Sequence, residues 1–149
     1  MTIETDFIHD YMFFDCVGLR EIDTTNHKTN NLKTIGYAAF GGCIGLTSME
    51  LPFVGAQSYR LLQQEFEDAS KTEAERALAK KKTLFGYIFG KEKTTNPLLR
   101  PIEQRYGDAA KLETYYVPKA LQEVRVTCMD SVVGYGAFMN FEDLVYVSL

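Results

Sequence analysis

The apolar positions of the chain return on one template. The segments "IHDYMFFDCVGLREI" (Ile8 to Ile22), "IGYAAFGGCIGLTSM" (Ile35 to Met49) and "VGYGAFMNFEDLVYV" (Val133 to Val147) each start with Ile or Val. Each then places phenylalanine at +5, Cys or Phe at +8, leucine at +11 and an apolar residue at +14. The phenylalanines are Phe13, Phe40 and Phe138, the +8 residues Cys16, Cys43 and Phe141, and the leucines Leu19, Leu46 and Leu144. A partial fourth copy, "LQEVRVT", sets Leu121, Val124 and Val126 in the places of Leu46, Met49 and Leu51 and carries the strand half alone.

The second half of each copy alternates inward and outward residues, as a half-buried strand requires. Self-similarity at this spacing belongs to repeat architectures, in which equivalent strands of successive copies pair in parallel. The preceding "IGYAAF" predicts one helical turn that sets Ile35, Ala39 and Phe40 behind the sheet, with the phenylalanines in a buried column. The expected fold is therefore α/β, one domain over 1–149. Its rungs lie at about 8–24, 35–52, 121–127 and 133–149, with strand order following the sequence. An insertion occupies about 53–117 between Pro52 and Pro118, two prolines that stop a strand.

Composition narrows the partners. Twenty acidic against sixteen basic residues leave a net charge of −4, which disfavours nucleic acid. No apolar run approaches membrane-spanning length, and "MTIETDFIHD" lacks the basic and apolar regions of a secretion signal. Export, if it occurs, needs a signal outside this sequence. Three cysteines, Cys16, Cys43 and Cys128, leave one thiol unpaired in any monomer and argue against a disulfide scaffold.

These residues resemble the BspA-like class of leucine-rich repeats, whose rung "IGYAAFGGCIGLTSMELP" matches nearly letter for letter. Phe141 stands in the cysteine place of the last copy, and the first copy is weaker, with His9 for glycine and Met12 for alanine. "LPFVGAQ" (Leu51 to Gln57), "LFGYIFG" (Leu84 to Gly90) and "TYYVPKALQEVRVT" (Thr114 to Thr127) resemble the insertion found in bacterial members. The resemblance implies a short leucine-rich-repeat solenoid, a parallel β-sheet on one side, and a partly helical insertion. It also implies a repeat type found largely in bacterial and protist surface proteins, hence an extracellular or cell-surface location and a protein or cell-surface ligand.

Within the insertion, "SYRLLQQEFEDASKTEAERALAKKKTLF" predicts a helix–turn–helix, with Leu61, Leu62, Phe66 and Ala69 along one stripe. "SKTE", Ser70 to Glu73, has capping-box spacing for the second helix, which runs to Lys82. Lys80, Lys81 and Lys82 suit a helix C-terminus. "TTNPLLRP" reads as loop.

Candidate chemistry is sparse. "GYIFGKEKT" has three residues between its glycines where a phosphate loop needs four, and Glu92 follows Lys91 where that loop needs Ser or Thr; it reads as a β-turn or hairpin. Cys16 and Cys43 share a position that tolerates Phe141, so they read as core filler. Cys128 follows the third strand, and His9 and His27 fall in a turn and a polar loop. No residue set points to catalysis, a cofactor or a metal.

The outward strand positions are more informative: Glu21 and Asp23, Ser48 and Glu50, Glu123 and Arg125, Tyr146 and Ser148. Stacked strands bring them onto one face, the usual binding surface of solenoids. Tyr87, Tyr115 and Tyr116 of the insertion are alternative contacts. The expected function is a non-catalytic protein-recognition or adhesion module. A structural spacer is the alternative, and an enzyme with a site between insertion and sheet a lesser one. Leu149 occupies an inward strand position, so an uncapped last rung predicts a longer array or end-to-end self-association.

Overall fold

The structure, a computed structural model, describes residues 2, 3, 5–24, 32–92, 94–107, 111–127 and 136–148, for 146 and 148 the backbone only. His27, Cys128, Val133 and Leu149, all named above, lie outside the described residues.

The architecture is mixed α/β. Strands β1 (Phe7–Ile8) and β3 (Thr34–Ile35) form a short parallel pair. Strands β2 (Glu21–Asp23), β4 (Ser48–Leu51), β7 (Glu123–Val126) and β8 (Tyr146–Ser148) form a four-stranded parallel sheet in chain order. The register is the one the template dictates. Ile22, Met49, Val124 and Val147 pair in one row, and Leu51 pairs with Val126. Ile22, Met49, Leu51, Val124 and Val126 are buried, and Leu46, Cys43, Phe40 and Leu121 join them in the core. Pro52 ends β4 as expected.

Behind the sheet, the predicted helical turn is absent. Each full copy instead makes paired turns through two left-handed residues at equivalent places. At +3 they are Tyr11 (φ 58°), Ala38 (φ 53°) and Gly136 (φ 72°). At +7 they are Asp15 (φ 59°), Gly42 (φ 71°) and Asn140 (φ 63°). Left-handed backbone cannot extend into a helix. The turns stack through backbone hydrogen bonds: Phe13 N–H donates to Ala39 O at 2.8 Å and Tyr11 N–H to Tyr37 O at 3.0 Å. The Phe13 and Phe40 rings lie 5.5 Å apart and 4° from parallel.

The third copy is not a strand alone. A short 3₁₀ helix, Phe85–Ile88, fills its turn half, so "GYIFG" is neither β-turn nor hairpin. Ala38 N–H donates to Tyr87 O at 3.2 Å and Phe40 N–H to Ile88 O at 2.9 Å. The donors stand at the same template positions as Tyr11 and Phe13, whereas the acceptors, two residues apart at Tyr37 and Ala39, are here consecutive. "FGYIFG" therefore stands where "IGYAAFG" stands one layer earlier, lacking the left-handed +3 residue. Without that residue the turn tightens into 3₁₀ form. Gly86 matches Gly36, and neither has room for a Cβ: at Gly36 it would strike Asp10 N of the first copy, at Gly86 the Tyr115 ring of the hairpin.

The insertion thus splits in two. Between β4 and the 3₁₀ helix, α1 (Tyr59–Phe66) and α2 (Glu73–Lys81) form the predicted helical pair. The capping box is shifted from the expected Ser70–Glu73. The Thr72 hydroxyl accepts from Glu75 N–H at 3.1 Å and the Glu75 carboxylate accepts from Thr72 N–H at 3.2 Å. The apolar stripe is also narrower: Leu62 is buried, but Leu61 and Ala69 are exposed. Between the 3₁₀ helix and β7 lies an antiparallel hairpin, β5 (Leu99–Arg105) with β6 (Leu112–Pro118). The loop expected at "TTNPLLRP" is in part strand, since Leu99, Arg100 and Pro101 belong to β5. Ile102, Gln104, Tyr115 and Val117 face inward and attach the hairpin to the core. No helix among the described residues is long and apolar enough to cross a membrane.

Candidate functional site

Strand alternation sends one residue in two to the outer face of the four-stranded sheet. Parallel register then aligns them in two columns. The first runs Glu21, Ser48, Glu123, Tyr146 and the second Asp23, Glu50, Arg125, Ser148. All eight expected positions fall where the sequence places them; the side chains of Tyr146 and Ser148 lie outside the description. Neighbours in a column stand one strand spacing apart, roughly 4.8 Å.

The charge pattern is uneven. Glu21, Asp23, Glu50 and Glu123 supply carboxylates and Arg125 a guanidinium, whose Nε lies 2.8 Å from Glu123 Oε1. Asp23 and Glu50 are register partners in adjacent strands. Thr2 joins the face by pairing with Asp23 at the edge of β2, where Ile3 N–H donates to Asp23 O at 2.8 Å. A single bridged residue has no periodic signal in the sequence, so Thr2 was not among the expected positions. Thr2 and the residues of β2, β4 and β7 line an open, shallow depression.

The tyrosine alternatives separate. Tyr115 is 1% exposed, because β6 turns it into the core, and burial pushes its phenol well above the ordinary value; it cannot meet a partner. Tyr116 and Tyr87 are half-buried. Tyr87 instead extends a ladder over the turn side: its ring lies 5.4 Å from Tyr37, which lies 5.7 Å from Tyr11. Tyr11 Oη donates to Glu92 Oε1 at 2.6 Å, and Tyr37 Oη accepts from Lys91 N–H at 2.8 Å. The ladder therefore ties the segment after Gly90 onto the stacked turns.

Cys43 is buried and Cys16 half-buried, both as free thiols. The Cys43 thiol donates to Phe13 O at 3.2 Å, and burial pushes it up to about 12. Among the described residues, no group of three or more His, Cys, Asp or Glu is arranged to hold a metal ion. No protein-family model, curated protein or solved structure matches the chain.

Proposed function

We propose that the chain is a short leucine-rich-repeat solenoid of the BspA-like type and serves as a non-catalytic protein-recognition or adhesion module at a cell surface. The carrying observation is the pair of polar columns on the outer face of β2, β4, β7 and β8. The solenoid reading is supported by the recurrence of two left-handed residues in every full copy and by the assembly of the third copy from two separated pieces. An open, shallow polar sheet face suits an extended partner surface better than a small substrate, which needs a deeper, more enclosed pocket. Four carboxylates against one guanidinium favour basic side chains on that partner.

End-to-end association of copies is part of the same reading. Strand-side bonds run from Thr47 N–H to Arg20 O, Gln122 N–H to Thr47 O and Val145 N–H to Gln122 O, so each layer repeats the polarity of the one before. Val17 and Val145, on the first and last copies, are 57% and 79% exposed, apolar surface that a second copy would cover.

The test is capture of host-surface and cell-wall material by the wild type and by a Glu50→Lys, Arg125→Glu variant. Capture should fall or change partner in the variant, while thermal stability holds, since exposed ion pairs contribute roughly 0–1 kcal/mol. Equal capture by both proteins would remove the face from consideration. Capture by neither would favour a structural spacer.

A further inference from the structure

On a chain of net charge −4, one crevice is basic. It lies between α2 and the end of the hairpin, has a volume of about 180 Å³, and is lined by Glu73, Arg76, Ala77 and Lys80 from the helix and by Tyr106, Gly107 and Lys111 from the hairpin, three cations against one carboxylate. Arg76 and Lys80 are one helical turn apart, so they share a face of α2. Lys80 and Lys111 converge on Gly107: a Cβ there would sit 3.7 Å from Lys80 Nζ and 3.8 Å from Lys111 Cδ. The Arg76 Nε is buried and has no hydrogen-bond partner. A buried guanidinium donor left without an acceptor is costly and rare in folded proteins.

Among the described residues, nearby carboxylates do not supply the missing acceptor. Glu113 is held by Lys81 at 3.2 Å and Lys91 at 3.1 Å. Glu73 approaches Lys111 only at 3.8 Å and is 85% exposed. Tyr106 carries the Lys81 ammonium over its ring at 4.8 Å, which holds that cation to one side.

We propose that this crevice binds a phosphate group, with Arg76, Lys80 and Lys111 as its ligands. A guanidinium and two ammonium groups, offset by the Glu73 carboxylate, leave two positive charges for a phosphate dianion and supply it with charge-assisted donors. The volume is below the roughly 300 Å³ at which organic-ligand pockets begin, so the crevice takes the phosphate and leaves whatever carries it outside. The site is independent of the sheet face and of the recognition reading.

The experiment titrates the full chain with inorganic phosphate at ionic strength held constant with chloride, read by calorimetry and by the amide resonances of Gly107 and Lys111. Saturable binding with a Kd in the millimolar range or tighter is expected, at least about tenfold weaker in Arg76→Gln. Because Arg76 is partly buried, Lys111→Gln is the second variant; it should weaken binding several-fold with an unchanged circular dichroism spectrum. Phosphatidic acid vesicles, compared with phosphatidylcholine vesicles, distinguish the source. Sedimentation with the former, lost in the variants, identifies a lipid phosphomonoester; phosphate binding without it identifies a free phosphate or soluble ester. No saturation at tens of millimolar, or undiminished binding in both variants, would overturn the proposal.

Discussion

Gln104, buried on β5, accepts the Gly86 N–H on its side-chain oxygen at 3.0 Å. Its Nε2 donates to Ala137 O at 2.9 Å and Met139 O at 3.0 Å. One amide thus satisfies backbone groups of the third and fourth copies together, and it does so from a hairpin that belongs to neither turn. Gln104→Leu would take the partner from Gly86 N–H and from Met139 O, while Ala137 O would keep the Phe85 N–H at 3.0 Å. At about 1–3 kcal/mol for each unsatisfied group, partly relieved by local adjustment, the expected loss is about 2–5 kcal/mol in urea denaturation. A loss under 1 kcal/mol would show that the clasp is not formed.

The composite third copy makes its own demand. Phe85 is fully buried, with ring centroids 5.3 Å from Phe89, 5.0 Å from Phe138 and 5.2 Å from Phe141. If Phe85 belongs to the central stack, Phe85→Ala should cost about 3–5 kcal/mol, the range for a fully buried phenylalanine. Phe13→Ala, in the half-buried first copy, should cost less. The order of the two denaturation midpoints is the measurement, and a reversed order would place Phe85 outside the core.

The legibility of the fold follows from where side-chain pattern and backbone agree. Ile22, Met49 and Val124 could be read as one row because strand alternation and copy-to-copy alignment specify the same thing, and the outward columns came with them. The left-handed turns were hidden because Tyr11 and Ala38 are not residue types that announce positive φ. The turn half of the third copy was hidden by the loss of its +3 residue and by the hairpin that separates Phe89 from β7. The hairpin itself was hidden because an inward strand position holds Gln104, so "IEQR" reads as polar, and because Pro101 sits inside β5. Tyr115 looked available for contact only while β6 went unrecognised. The basic crevice needs α2 and the hairpin side by side, and no single segment announces it.

The shifted capping box separates two positions that the sequence makes look alike. Thr72 caps α2 through reciprocal bonds with Glu75, whereas the Ser70 hydroxyl donates to Asp68 Oδ1 at 2.6 Å, outside the helix. Thr72→Ala should therefore destabilise by about 1 kcal/mol. Ser70→Ala, on exposed surface, should stay within about 0.5 kcal/mol. Equal effects in thermal denaturation would contradict this assignment.

Alkaline pH should destabilise the fold through its buried weak acids. Burial, the largest cause in each case, raises the Cys43 thiol from 9.0 to about 12 and the Tyr87 phenol from 10.0 to about 12, and it moves Tyr115 in the same direction. In the unfolded chain these groups ionise near their ordinary values. Between about pH 9 and 12 the unfolded state therefore holds fewer protons than the folded one, and stability falls as pH rises. The contribution is fully present below pH 9 and is lost progressively up to the folded-state values. Urea midpoints measured from pH 7 to 11 should be level at first and then decline. Cys43→Ala should flatten the earlier part of the decline, because the thiol has the lowest unfolded-state value of the three. The same burial predicts that peptide mapping after alkylation at pH 8 finds Cys43 unmodified in the native protein and modified in urea. Native-state labelling of Cys43 at the rate of an exposed thiol would show that the second copy does not close over it.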